Sequence, residues 1–285
     1  MTRQFEYTIE EFWKIVVADN QITFLLRHLK AVETFYRYVF IFGPFVFMAK
    51  PLVTQDSSIF NCYVPPVIPF PLFYILECYL VFLGSSAFIA LNLFACSLIV
   101  LVAVQFRLLN LKIKYLNLED IENSQDFNRF VRELKCIVNY QQFLMRYVKD
   151  LNKLFCVPVA FLMIISVIIL CSNMYILSTN QGTVVDRSRI MVTSSCVIVE
   201  YFLVYGLPAQ LLMDESAATA DMIYHECKWY LPKLRPLRKD FLIMIFHSQK
   251  SICLRAGNYH VINNQTILLM LKTAYSFYAF LRKVT

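Results

Sequence analysis

Glycine is scarce in this chain, with 5 residues in 285. Loops that cradle phosphate need closely spaced glycines, because only then does the backbone approach the ligand. Neither a Walker nor a dinucleotide-binding pattern occurs, and HExxH and G-x-S-x-G are missing too. The nine cysteines include no CxxC pair of the kind that zinc or redox sites use. His28, His225, His247 and His260 have no metal-ligand spacing. The first residues, MTRQFEYTIEEFWK, contain no apolar stretch of the signal-peptide kind. These absences point away from an enzyme and from any cofactor or metal. Charged residues are few as well, 16% of the chain, yet the net charge is +7. A nucleic-acid binder gathers its basic residues on a soluble face. Here they lie between apolar runs, so no nucleic-acid partner is expected.

Apolar residues are abundant. Hydrophobic residues make up 58% of the chain, with 25 Phe and 17 Tyr, above the roughly 45–50% usual in soluble domains. Spanning a bilayer takes ~20 mostly apolar residues in a helix. Five runs qualify as candidates: Tyr38–Val53, Pro71–Val104, Leu154–Leu177, Ile190–Met213 and Val261–Phe280. The first is short and holds Pro44 and Lys50. The second is longer than a membrane. The expected fold class is therefore all-α, a polytopic helical membrane protein with about five transmembrane helices and helices extended into a cytosolic anchor bundle. Membrane lipid is its first partner.

Lys and Arg accumulate in cytosolic loops. The segments before the first run, between the second and third, and between the fourth and fifth hold 21 of the 27. This places the N-terminus in the cytosol and the C-terminus outside. In residues 127–155, Phe127, Phe130, Leu134, Ile137, Leu144, Val148 and Leu151 recur at helical spacing after the polar break at Asp120–Asp126. Thr8 and Glu11 fit a capping box ahead of a second stripe. The domain reading is a cytosolic amphipathic helix over 1–37, transmembrane helices and outer loops over 38–213 with a cytosolic hairpin at 105–153, a cytosolic anchor segment over 214–260, and a last helix over 261–285. Residues 54–70, with Pro65, Pro66 and Pro69, read as a rigid outer lid.

The last run is unusually polar for a membrane helix. Asn263, Asn264, Gln265 and Thr266 open it, and Lys272, Thr273 and Ser276 interrupt it. Lys272, Ser276 and Ala279 share one narrow helical face. Such residues either face water or sit at an interface, with Lys272 snorkelling outward.

Residues 200–285 carry a specific resemblance. ADMIYHECKWY (220–230), the basic helix with His247, Gln249 and Lys250, Leu254–Gly257, and KTAYS (272–276) followed by Leu281–Arg282 together resemble the C-terminal part of insect odorant receptors. The Gln-Phe of the sister gustatory family's last helix is missing. The resemblance implies a receptor subunit of a ligand-gated non-selective cation channel, in the plasma membrane of sensory neurons. It would bind a small volatile odorant and form a hetero-tetramer with olfactory co-receptor subunits. That family has seven spans, so the chain is expected to start before the third. The alternative is a non-conducting or regulatory fragment that assembles through its cytosolic helices.

The resemblance implies that the last helix lines the pore, with Lys272, Ser276 and Ala279 facing water and Tyr275, Tyr278 and Leu281 forming a constriction. An apolar volatile needs an aromatic cavity with one or two polar anchors. Phe45, Phe47, Met48, Phe73, Tyr74, Cys78, Val192, Cys196 and Tyr201 offer one in the outer halves of the spans. Ordinary helix packing explains each of them singly. Glu77 and Glu200 are carboxylates within spans, which marks them as functional candidates. Glu77 reads as a bond to headgroups or a Tyr hydroxyl, or as a ligand contact. Glu200 reads first as an interhelical hydrogen bond. Gly206 and Pro208 are expected to break or bend the fourth span.

Overall fold

The structure, a computed structural model, describes residues 12, 19–54, 59, 69–116, 124–179, 184–250, 252–257 and 260–284, with the backbone alone at 49–54, 124, 185 and 284. The Thr8–Glu11 capping box, the prolines Pro65 and Pro66, and residues 120–123 of the polar break lie outside the described residues.

Helix α1 is Asn20–Thr54. It starts where the Asp19 carbonyl accepts both the Thr23 amide and the Thr23 hydroxyl, each at 3.0 Å. The expected boundary between a cytosolic helix and a first span at 37–38 falls inside this one helix. Helix α2 is Phe70–Lys114, with Pro71 in its first turn, where proline costs no hydrogen bond, and Lys112 and Lys114 in its last, where cations suit the helix dipole. Helix α3 is Ser124–Ser178. Its 55 residues, at ~1.5 Å each, far exceed the length a membrane needs.

Helix α4 is Val184–Glu200, followed without a break by the π-helix Tyr201–Gly206 and by α5, Leu207–Glu226. Of the break or bend expected at Gly206 and Pro208, the break does not occur: the chain stays helical and widens its turn. Proline has no N–H to return to the carbonyl four residues back, and a π turn re-registers the bonds around that gap. A 3₁₀ turn, Pro232–Leu237, leads into α6, Arg238–Gln249. The two-residue strands β1, Arg255–Ala256, and β2, His260–Val261, pair antiparallel. Gly257 has φ 62°, a conformation glycine takes without strain. Helix α7, Asn264–Val284, closes the order. Apart from the small hairpin the described fold is helical, as expected.

Among the described residues, three helical stretches are long and apolar enough to cross a membrane: Phe70–Lys114, Gln125–Ser178 and Asp186–Glu226. Among the described residues α1 and α7 are not in this set; α1 carries Arg27, Lys30, Glu33 and Arg37 ahead of its apolar part, and α7 carries Lys272, Arg282 and Lys283.

The chain forms two compact units. One comprises Met1–Arg27, Leu98–Val159 and Leu207–Asn263. Phe106, Leu109, Ile137, Leu144, Leu212, Ile223 and Phe241 are fully buried in it. The buried set Phe130, Leu134, Ile137, Leu144, Val148 and Leu151 is the stripe legible in the sequence. Arg107 pairs with Asp19 at 2.6 Å and reaches Glu215 at 3.8 Å. The Arg107 hydrogen bond holds the Asp19 carboxyl below its usual range. Asn110 donates to the Glu215 carbonyl and accepts from the Thr219 hydroxyl. The hairpin is tied down by α3: Asn152 donates to the Cys253 carbonyl and accepts the Arg255 amide, each at 2.8 Å, and Gly257 donates to the Cys156 carbonyl at 2.9 Å.

The other unit comprises His28–Ser97, Ala160–Gly206 and Asn264–Thr285. It contains every residue assigned above to the ligand and pore sites.

Candidate ligand site and polar helix

Glu200, at the end of α4, is buried and accepts hydrogen bonds from the Tyr36 hydroxyl at 2.9 Å and the Asn92 amide at 2.5 Å. The Tyr205 hydroxyl donates to the Asn92 carbonyl oxygen at 2.5 Å. Tyr201 and Ser166 share a hydrogen bond at 2.9 Å. One network thus joins α1, α2, α4 and the π-helix. The interhelical bond expected of Glu200 is present. In an apolar surround each of these groups needs a partner, because none is offered by lipid. His28 belongs to the same logic. Its Nε2 lies 2.9 Å from the Leu203 carbonyl, inside the π-helix. A carbonyl only accepts, so Nε2 carries the proton. A carbonyl released by the widened turn is thereby satisfied from α1.

Glu77 is also buried, and a backbone group is among its partners: it accepts the Ile59 amide at 2.9 Å. The Ile59 carbonyl faces Arg189 at 3.5 Å, and the Arg189 guanidinium lies 4.9 Å from the centre of the Phe47 ring. Ile59 itself is 2% exposed. The Tyr74 hydroxyl donates to the Met48 carbonyl at 3.3 Å. Of the nine residues assigned to the ligand, the structure therefore brings Phe47, Met48 and Tyr74 into one neighbourhood with Glu77 and Arg189. Phe73, Cys78 and Cys196 are partly buried, and Tyr201 is buried in the polar network. Phe45 and Val192 are 73% and 42% exposed, which is the behaviour of side chains that face lipid rather than an enclosed ligand.

Helix α7 has a packed side and an open side. Ile267, Met270 and Ala274 are buried, a stripe at helical spacing. It starts against Gly206, where a Cβ would stand 2.5 Å from Ile267 Cδ1 and 2.7 Å from Asn264 Oδ1. At ~100° per residue, Ser276 lies about 180° from Ile267, with Lys272 and Ala279 about 40–60° to one side. Lys272 and Ser276 are exposed and Ala279 half so. Tyr275, 61% exposed, lies against Tyr278 with ring centres 5.9 Å apart and planes tilted by 51°. Tyr278 and Leu281 lie nearer the azimuth of the packed stripe than that of Ser276.

Sequence reasoning missed Tyr36, His28, Asn92, Ser166 and Arg189. Asn92 carried a usable signal, being an amide deep in the run 71–104. The sequence model of the family described as 7tm Odorant receptor matches residues 3–275. The chain belongs to the insect odorant receptor family. Odorant receptor 85b of Drosophila melanogaster is 27% identical over 167 residues, 58% of this chain and 42% of that protein. Odorant receptor Or2 of Anopheles gambiae is 25% identical over 158 residues, 53% of this chain and 39% of that protein. Each match thus spans less than half of the relative. The structure of the insect olfactory receptor OR5 from Machilis hrabei in complex with eugenol shares the fold. Its TM-score is 0.78 at 14% identity, over 99% of this chain and 74% of that one. Membership accounts for the helical membrane architecture, and the family is one of receptors rather than enzymes.

Proposed function

We propose that the chain is an odorant-binding subunit of a ligand-gated, non-selective cation channel. It works in the plasma membrane of sensory neurons, with the N-terminus cytosolic and the C-terminus outside. Olfactory co-receptor subunits complete a hetero-tetramer. One observation carries the channel reading: the polar stripe Lys272–Ser276–Ala279 lies opposite the stripe by which α7 packs on its own chain. Polar residues facing hydrocarbon are costly, whereas a water-filled path lined by four such helices accepts them. Tyr275 lies beside that stripe and narrows the path, whereas Tyr278 and Leu281 belong to the packed side. Lys272 repels cations, so the co-receptor subunits carry most of the current.

The ligand is small, volatile and mostly apolar. Phe47, Met48, Phe73, Tyr74 and Cys78 supply the aromatic and polarizable wall, with Cys196 and Tyr201 on α4 and the π-helix. Phe45 and Val192 belong to the lipid face. Ile59, held between Glu77 and Arg189, covers the site.

The test is cysteine accessibility during odorant-evoked current. The chain is expressed with co-receptor subunits, both as it stands and extended N-terminally with the segment of a longer relative. S276C and A279C are expected to lose more than half of the current on treatment with a charged thiosulfonate, while A274C keeps its current. Block at Ala274→Cys with none at the other two positions would sink the pore assignment. Normal surface expression with no current from either version favours the second reading, a non-conducting partner. That reading draws on the exposed apolar residues Leu242, Ile243 and Phe246 of α6.

A further inference from the structure

Helices α3 and α6 flank an open cleft of about 340 Å³ within the first unit. Five of its residues, 138, 141, 142, 145 and 146, recur on one face of α3, as helical spacing requires. Val138, Met145 and Met244 make an apolar floor, Ile243, 56% exposed, stands at its edge, and Arg146 and His247 bring basic nitrogen to the exposed rim. Arg146 Nε donates to the Gln142 carbonyl at 3.3 Å, which orients the guanidinium and leaves both Nη groups for a ligand. No carboxylate pairs with Arg146 among the described residues. Gln141, 4% exposed, is fixed from beneath by its bond to the Ser248 hydroxyl, which in turn bonds the Met244 carbonyl at 2.8 Å. The base of the cleft is thus fixed at Gln141, and the chemistry is polar and cationic at the open mouth and apolar beneath it.

We propose that this cleft is a binding site for a small organic monoanion with a short alkyl tail, of the medium-chain carboxylate class. The volume is at the lower end of ligand pockets and suits about a dozen heavy atoms. A carboxylate takes two parallel bonds from a guanidinium fork, and the tail covers the methionine and aliphatic floor. The source is the aqueous phase rather than the bilayer. At ~1.5 Å per residue, Arg146 lies about 12 Å and Val138 about 24 Å beyond Leu154, where the apolar run of α3 begins. The headgroup layer is only ~5–8 Å deep on each side. That the aqueous side is the cytosol rests on the orientation proposed above; the chemistry of the cleft does not. Such a site would let a soluble metabolite of the cell report to the receptor from the side opposite the odorant.

The experiment is photolabelling of the whole chain in lipid nanodiscs with a decanoate that carries a diazirine on its tail, followed by peptide mapping. Labelling is expected to saturate, to map to residues 138–146 or 243–247, and to be competed by decanoate at least tenfold better than by decanol or inorganic phosphate. R146Q should cut it about tenfold and R146K by an intermediate amount, since lysine keeps the charge but loses the two-bond fork, with helicity and elution unchanged in both. Equal competition by decanol would overturn the anion, and equal competition by phosphate would overturn the tail. Loss of labelling in nanodiscs rich in anionic lipid, or once co-receptor subunits are bound, would reassign the cleft to a lipid headgroup or a subunit contact. The readout is binding, so it stands or falls independently of any current.

Discussion

The two units treat polar and apolar side chains in opposite ways. In the unit built on residues 98–159 and 207–263, Phe106, Leu109, Leu144, Leu212 and Phe241 are fully buried, exposed apolar side chains such as Leu242, Ile243 and Phe246 gather on α6, and charges meet at half-buried pairs such as Asp19–Arg107. In the unit built on residues 28–97, 160–206 and 264–285, Leu72, Ile75, Leu91, Phe161, Ile164 and Ile168 are exposed, while Glu200, Asn92 and Glu77 are buried. The first is the pattern of a protein in water. The second is the pattern of a protein in hydrocarbon, where burying an aliphatic chain gains little and an unpartnered polar group costs most.

Substitutions should break this contrast in a definite order. Gly206→Leu puts a side chain where α7 begins, and about 3 kcal/mol of destabilisation is expected. Gly206→Ala should cost clearly less, because both neighbours are side-chain ends that can swing aside. Thermal unfolding in nanodiscs measures both, and equal effects would mean that the approach is not tight. Glu200→Ala leaves the Tyr36 hydroxyl and the Asn92 amide without their acceptor, for about 2 kcal/mol in the same assay. Arg107→Ala leaves Asp19 and Glu215 half-buried without a cation, for about 1–2 kcal/mol near neutral pH. The folded Asp19 carboxyl titrates below its unfolded value, so this contribution is present above the ordinary carboxylate range and is lost as pH falls through the folded value. The gap between wild type and R107A should therefore narrow in acid; a gap that widens would contradict the pairing. Glu33→Ala breaks a surface pair whose side chains are 54–69% exposed, and a change below ~0.5 kcal/mol is expected.

The contrast also explains which features were legible in the sequence. The stripe from Phe130 to Leu151 was readable because water-facing packing leaves a 3.6-residue period. The polar face of α7 was readable for the same reason in reverse, Lys272 and Ser276 being conspicuous among apolar neighbours. Glu200 could be assigned a hydrogen bond because an intramembrane carboxylate has few alternatives. Its partners could not be named, since Tyr36 and Asn92 lie 164 and 108 positions away. The π-helix left only Pro208 as a trace. A proline announces a missing donor but not how the chain repairs the gap, and here His28, 175 positions away, takes part in the repair. The nine assigned ligand residues scattered for a related reason. Within a hydrocarbon-facing helix, composition does not distinguish a side chain turned to lipid, such as Phe45, from one turned to a neighbour, such as Phe47.

The hairpin before α7 has a mechanical consequence. Asn152 and Cys156 fasten it by its backbone. Three bonds tie residues 253–257 to one short stretch of α3, so a movement of α3 there is passed to the hairpin as displacement rather than lost in side-chain rotation. The hairpin is thus a clasp on α3, and removing the Asn152 amide would undo two of its three fastenings at once.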